Sequence, residues 1–148
     1  MKKFKFQLDT VLRYKGQVLD TRLQEHGQVL AQVHRQEDVL EEARENLWDY
    51  LEEYREKQAA GMTVVDAMKY QMGIEVLERA VQREEEKLRR LRQLEEEKRA
   101  RVVEAKQETS TLERLKEIKQ GEYNSALAKE EEKLIDDLVS ARRAAQHV

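Results

Sequence analysis

The sequence predicts an all-α protein in which two long helices form an antiparallel coiled-coil hairpin, the second helix being longer. The first observation is that its 148 residues include no proline, where ordinary usage of about 5% would give roughly seven. The second is a mixture of 40% charged and 39% hydrophobic residues. The third is an apolar repeat every seven residues. Because proline is the strongest helix breaker, this pattern excludes β and mixed folds.

The first helix is predicted over about residues 10–57 from a seven-residue ladder. Its members are Leu12, Leu19, His26, Val33, Leu40, Leu47 and Tyr54. A companion ladder, offset by four, consists of Gly16, Leu23, Leu30, Glu37, Arg44 and Leu51. Both ladders are mostly apolar, which is typical of a coiled-coil seam with polar interruptions. His26 is interpreted as a polar residue that marks the register of the seam.

A reversal of the chain is predicted at about residues 58–63. Gly61 suits the left-handed conformation that ends many helices. Thr63, followed three residues later by Asp66, resembles a capping box with an acidic third residue. A second helix is therefore predicted from about residue 64 to residue 146, and residues 1–148 are assigned to a single hairpin domain.

The second helix carries its own seven-residue ladder. Its members are Tyr70, Leu77, Glu84, Leu91, Lys98, Ala105 and Leu112, with companions Ala67, Ile74, Val81, Leu88, Glu95 and Val102. The spacing resumes later as Leu127, Leu134, Ala141 and Val148. The step from Leu112 to Leu127 is one residue longer than two heptads. We therefore expect a stutter or local unwinding around residues 116–124.

The two helices differ in length, so roughly the last 30 residues should overhang the shorter arm at 1.5 Å per residue. That overhang carries apolar residues and has no partner in the chain, so it invites a second protein. A parallel dimer of one long helix is the alternative architecture. The glycine turn with a cap signal after it favours the hairpin and a monomer.

Composition also restricts the function. With 28 basic and 31 acidic residues the net charge is -3, so no basic field attracts nucleic acid. There is no cysteine, no apolar run that could span a membrane and no secretory signal. No nucleophile motif or phosphate loop is present, and the three histidines lack the spacing of a metal site. These features predict an intracellular, non-enzymatic protein with no cofactor and no metal.

Two local clusters have competing interpretations. The basic residues 87–92 lie between acidic triplets that cancel most of their field, so a solvated face is favoured over phosphate binding. The aromatic residues Trp48, Tyr50, Tyr54 and Tyr70 surround the predicted turn. They form either an interface hot spot or a staple that holds the tip of the hairpin.

Five segments taken together resemble the FliJ proteins of the bacterial flagellum. The start of the chain reads FKFQLDTVLRY over residues 4–14, DYLEEYR occupies residues 49–55 and AGMT occupies residues 60–63. Tyr70–Gln71 precedes Ile74, Leu77, Glu78 and Ala80, and EKLIDD spans residues 132–137. Their order along nearly the whole chain carries the resemblance, since each segment alone is weak.

The resemblance implies an antiparallel hairpin similar to the two long helices of the ATP synthase gamma subunit. It implies a stalk in flagellar type III export that engages the hexameric export ATPase and the cytoplasmic domain of the export gate, and that handles export chaperones. The expected location is the cytoplasm, at the inner face of the inner membrane and without direct insertion. The alternatives are a generic coiled-coil tether and the equivalent stalk of a virulence injectisome.

Two groups of partner-binding residues are predicted on this basis. The ATPase end comprises Phe4, Phe6, Leu8, Arg13, Tyr123, Leu127, Lys129, Lys133, Leu134, Asp136, Asp137 and Leu138, in which we expect apolar groups that the hairpin cannot cover. The export-gate end comprises Tyr50, Tyr54, Tyr70, Ile74, Leu77 and Ala80. No catalytic, cofactor or metal residues are predicted.

Overall fold

A computed structural model describes residues 2–147 and contains two helices, α1 over Asp9–Ala60 and α2 over Val64–Gln146. Residues 2–8 precede α1 as a non-helical arm, and the described part of the chain has no strand. The predicted fold class, with its longer second helix, is confirmed. Neither helix offers, within residues 2–147, a stretch apolar and long enough to cross a bilayer.

The turn between the helices is shorter than the sequence predicted. Residues 58–60 belong to α1, because glutamine and two alanines are good helix formers and nothing there stops the helix. Gly61 then adopts a φ of 103°, and its N–H donates to the Gln58 carbonyl over 3.2 Å. This left-handed residue ends the helix as expected, since glycine has no Cβ to clash.

Thr63 caps the start of α2, as predicted. Its Oγ1 accepts a hydrogen bond from the Asp66 N–H at 3.2 Å, and its carbonyl accepts one from the Ala67 N–H at 3.0 Å. These bonds satisfy amide groups that have no partner earlier in the helix. The acidic Asp66 also lies in the first turn, where the positive end of the helix dipole favours it.

The chain divides into two compact units, each containing a stretch of both helices. Unit 1 comprises Met1–Asp20 with Val103–Val148, and unit 2 comprises Thr21–Val102. Within unit 1, Asp9 meets Lys116 and Lys15 meets Glu108. Within unit 2 the partner number again falls as the α1 number rises, so the helices are antiparallel in each unit. The assignment of residues 1–148 to one domain remains a prediction.

The core of unit 2 is a narrow seam. Val33, Leu40 and Leu88 form a buried cluster, with Val81 and Leu91 packed against it. Both predicted ladders of α2, from Ala67 to Leu112, are buried or half-buried along their whole length. The heptad pattern therefore identifies the α1-facing side of α2 correctly.

The companion ladder of α1 is wrong in part. Leu23 and Leu30 are 49% and 37% exposed, and Arg44 is exposed as well. Val29 is buried instead and Gln36 is half-buried. These two lie three residues after main-ladder positions, where the prediction had placed the companions four residues after. Both spacings lie on one helix face, so apolar character alone did not decide between them.

In unit 1, α2 continues as regular helix through residues 116–124, so the unwinding expected there is absent. The break in the heptad pattern is nevertheless explained by the structure. Lys116 pairs with Asp9, the first residue of α1. Beyond Lys116, α2 has no facing helix within unit 1, so knobs-into-holes packing no longer constrains its sequence. Val148, the last ladder member, lies outside the described residues.

Candidate partner-binding surfaces

A buried polar group interrupts the seam of unit 2. His26 Nε2 lies 2.9 Å from Glu95 Oε1, and Arg99 donates to the same oxygen at 2.6 Å. The hydrogen bonds from His26 and then Arg99 lower the pKa of Glu95 below its ordinary value. His26 is therefore satisfied by a cross-helix partner, and the described residues contain no group of three acidic, histidine or cysteine side chains arranged for a metal ion.

The N-terminal arm, residues 2–8, packs along α2 in unit 1. The rings of Phe4 and Tyr123 lie 5.7 Å apart between centroids, and the Tyr123 hydroxyl donates to the Lys2 carbonyl. Phe6 is buried, with only 8% of its surface exposed. The arm thus covers part of α2 just beyond the start of α1.

An ionic contact fixes the junction between the arm and α1. Lys116 Nζ and Arg13 Nη2 each lie 3.2 Å from a different oxygen of the Asp9 carboxylate. The hydrogen bond and charge of Lys116, with a smaller contribution from Arg13, lower the pKa of Asp9 below its ordinary value. Because all three groups are partly exposed, this contact orients the junction more than it stabilises it.

The C-terminal overhang, residues 128–147, is exposed at every position. Its large apolar side chains are uncovered: Leu134, Ile135 and Leu138 are 60%, 60% and 63% exposed. Leu127, Leu134 and Leu138 are spaced by seven and four residues, so they share one face of α2. Asp136 lies on the other side of the helix, and Lys133 and Asp137 lie at the border between the two sides. The overhang is an amphipathic helix that lacks a partner within unit 1.

Three tyrosines hold the two helices together near the turn in unit 2. The Tyr70 ring lies 5.2 Å from the rings of both Tyr50 and Tyr54. The Tyr70 hydroxyl donates to Glu53 at 3.2 Å, and Gln71 donates to the Tyr54 hydroxyl at 3.3 Å. This network connects α1 and α2 through both ring contacts and hydrogen bonds.

The contact of Tyr50, Tyr54 and Tyr70 across the two helices, here called the staple, requires a glycine on α2. A Cβ built on Gly73 would overlap the hydroxyl and ring carbons of Tyr50. Gly73 therefore lets the Tyr50 ring lie directly against the α2 backbone. None of the other four glycines has an atom within 4 Å of such a Cβ, so this close approach distinguishes Gly73 from them.

A second apolar surface near the turn faces solvent. Val65, Met68, Met72 and Val76, here called the tip stripe, are between 59% and 67% exposed. They follow one another at three- and four-residue steps and so share a face of α2. Because the buried Ile74 belongs to the side that packs against α1, the stripe lies on the opposite side. The sequence interpretation missed this surface, although its spacing outside the heptad ladder was a usable signal.

The family model described as flagellar FliJ protein matches residues 4–147, nearly the whole chain. The chain belongs to the FliJ family. It is accordingly a component of the flagellar export apparatus. Comparison with curated proteins and with solved structures found no match.

The structure brings together only part of the ATPase-end residues predicted for this FliJ-family chain. Phe4, Phe6 and Tyr123 meet through the arm, and the expectation that the hairpin cannot cover this group is wrong for the buried Phe6. The arm folds back along α2, which the apolar spacing did not reveal. The remaining residues extend further along α2: Leu127 is half-buried, whereas Lys129, Lys133, Leu134, Asp136, Asp137 and Leu138 are exposed. Their binding roles remain predictions.

The predicted gate-end residues lie together in unit 2, but they lie on the sides of α1 and α2 that pack against each other. Tyr50, Tyr54, Tyr70, Leu77 and Ala80 are half-buried and Ile74 is buried. The staple interpretation of the aromatic cluster is therefore confirmed for the three tyrosines, whereas Trp48 is 63% exposed. A partner could touch only the outer edges of these side chains.

The basic residues 87–92 are neutralised by nearby carboxylates. Arg89 and Arg90 both pair with Glu86, and Arg92 lies 3.7 Å from Glu37 on α1. Lys87 pairs with Glu84 at 3.5 Å. The prediction of a solvated, charge-balanced face is confirmed.

Proposed function

We propose that this FliJ-family protein is a non-enzymatic coupling component of the flagellar export apparatus that binds the export ATPase ring through its C-terminal overhang. The observation that supports this proposal most directly is the exposure of Leu134, Ile135 and Leu138 in the stretch of α2 that has no facing helix within unit 1. Burying such a stripe in a ring lumen would remove it from water. Arg13, Lys129, Lys133, Asp136 and Asp137 would make the polar contacts at the rim.

The second binding site, for the cytoplasmic domain of the export gate, is proposed at the stapled region of unit 2. Tyr50, Tyr54 and Tyr70 hold a defined surface there, with Leu77 and Ala80 beside it on α2. Rigid aromatic residues bind partners at a small entropic cost. In this arrangement one protein links an ATPase to a membrane-embedded gate, and it resides at the cytoplasmic face of the inner membrane without inserting. Export chaperones are proposed as additional, transient partners.

The ATPase assignment is tested with substitutions in the overhang. Leu134→Asp combined with Leu138→Asp places two charges in the proposed lumen contact, and we expect stimulation of ATP hydrolysis by the purified export ATPase to be lost. Val103→Asp is the matched control, because Val103 is 49% exposed on α2 outside the overhang. Equal stimulation by the wild-type protein, the double variant and the Val103→Asp control would contradict the ATPase assignment.

The gate assignment needs variants that leave the staple folded. Tyr54→Phe with Ala80→Glu keeps the ring at position 54, removes the hydroxyl that accepts from Gln71 and adds a charge at the half-buried Ala80. We expect binding to the cytoplasmic domain of the gate to weaken while ATPase stimulation persists. Circular dichroism verifies that the helical content is retained. If the Leu134/Leu138 variant and the Tyr54/Ala80 variant impaired both activities equally, the two-site proposal would be wrong. Retention of both activities in every variant would instead support the generic tether.

A further inference from the structure

The tip stripe is an apolar surface that the hairpin does not use. Its four members, Val65, Met68, Met72 and Val76, lie on the side of α2 away from α1. On the α1-facing side of the same stretch, the seam residues are buried or half-buried. Isolated apolar residues on a surface are ordinary, but a continuous line over three helical turns is not. The stripe also lies opposite the side that carries Ile74 and Leu77, so it is a different surface from the proposed gate site.

Three basic residues lie on the same face of α2 as the tip stripe. Lys69, Arg79 and Arg83 lie at helical spacing with the stripe, at steps of three, four and seven residues from its members. All three are exposed, and no hydrogen bond or ion pair joins them to a carboxylate in the part of the chain that the structure describes. This separates them from Arg89 and Arg90, which share the carboxylate of Glu86. The charge of Arg83 acts on Glu84 without such a contact and contributes to lowering the pKa of that carboxyl.

We propose that the tip stripe with Lys69, Arg79 and Arg83 is a docking surface for an acidic amphipathic helix of another protein. Apolar side chains of that helix would pack along Met68 and Met72, whose unbranched thioethers adapt to differently shaped partners. Carboxylates flanking its apolar face would pair with Lys69, Arg79 and Arg83. Arg79 and Arg83 follow the last member of the stripe, so they also give the partner helix a preferred direction.

An anionic membrane surface fits these observations less well. Basic amphipathic helices that bind membranes use bulky aromatic or leucine anchors, and the stripe contains only valine and methionine. The facing part of α1 in unit 2 carries the exposed carboxylates Asp49 and Glu56, whereas Glu52 is paired with Arg55 at 3.1 Å. These carboxylates would repel anionic lipid headgroups, whereas a helix lying along the outer side of α2 would meet the three cations first.

The experiment uses fluorescence anisotropy to measure binding of the full-length protein to peptides held helical by a side-chain cross-link. One peptide carries leucines along one face flanked by glutamates, and a matched peptide carries lysines in place of the glutamates. We expect the acidic peptide to bind and the basic peptide to bind at least tenfold more weakly. Arg79→Glu with Arg83→Glu should weaken the acidic peptide by about fivefold and strengthen the basic one.

Apolar contact is tested with Met72→Asp, which should reduce binding of the acidic peptide by about tenfold or more. Val39→Asp is the control, since Val39 is 43% exposed on α1 in the same unit, and it should leave binding unchanged. Met72 is exposed, so this substitution leaves the seam intact, and circular dichroism checks that both variants remain folded.

Four results would overturn the proposal. Equal binding of the two peptides, or undiminished binding by Met72→Asp, would remove the stripe as the site. Preferential binding to vesicles containing phosphatidylglycerol, lost in the Arg79 and Arg83 double variant, would assign the surface to membrane. Self-association of the protein that Met72→Asp abolishes, seen by sedimentation, would assign it to a second copy. None of these measurements involves the ATPase or the gate, so their outcome is independent of the proposed function.

Discussion

The two units treat the same kind of residue in opposite ways. In unit 2, Leu88 is 4% exposed because α1 lies beside it, whereas Leu134, in the part of unit 1 beyond the arm, is 60% exposed. Both belong to ladders at heptad spacing on one continuous helix. The difference shows that periodicity identifies a face that requires a partner, while only the facing element decides whether the chain itself supplies one.

Polar residues extend this contrast. Unit 2 places Glu95 in its seam and satisfies it with His26 and Arg99, so even its polar positions are committed to the hairpin. In unit 1 the overhang carries Lys133, Asp136 and Asp137 in solvent. A seam with internal polar partners fixes the pairing of two helices, whereas an exposed amphipathic helix leaves that choice to another protein.

The largest expected effect separates a buried leucine from an exposed one. Leu40→Ala should lower the free energy of unfolding by about 2 to 4 kcal/mol, because it leaves a cavity beside Val33 and Leu88. Leu134→Ala should change it by less than about 0.5 kcal/mol. Urea titrations followed by circular dichroism measure both values. Similar losses for the two variants would show that the overhang is packed in solution, which would remove the contrast.

Much of this arrangement could be predicted from the sequence. The α2 ladders, the cap at Thr63 and the reversal at Gly61 follow from residue type and spacing, which act locally. The α1 companions could not be assigned securely, because Leu23, Leu30 and Val29 are equally apolar and only the geometry of the facing helix chooses among them. The burial of Phe6 likewise depends on the arm folding back, a long-range contact that no local pattern encodes.

The polar contrast predicts a smaller effect that depends on pH. The pKa of Glu95 is lowered in the folded protein by His26 and Arg99. Its ionised form therefore contributes stability that is present above the pKa of the unfolded state and is lost as pH falls through the folded value. Glu95→Gln should destabilise the protein at neutral pH, and the difference from wild type should shrink as pH falls below about 4.5. Urea titrations across that range measure the difference, and a gap that widened on acidification would contradict the assignment.

Capping offers a comparison between threonines in the two units. In unit 2, Thr63 accepts a hydrogen bond from the Asp66 amide, so Thr63→Ala should cost about 1 kcal/mol. In unit 1, the Thr111 hydroxyl only donates to the Gln107 carbonyl within the helix, and Thr111→Ala should be neutral or slightly stabilising. Thermal unfolding of the two variants provides the measurement. Equal destabilisation would mean that the cap does not form at Thr63.

The smallest effects come from replacing one glycine in each unit. Gly121→Ala meets open space in regular helix, so it should stabilise the protein by about 0.8 kcal/mol through helix propensity. Gly73→Ala brings the same propensity but displaces the Tyr50 ring, whose contact with Tyr70 is worth about 0.5 to 1.5 kcal/mol. The two terms nearly cancel, so its net effect should fall short of that at Gly121. In a Tyr50→Ala background the obstruction disappears, and Gly73→Ala should then stabilise as much as Gly121→Ala does. If Gly73→Ala were equally stabilising with and without Tyr50, the ring would not lie against the α2 backbone in solution.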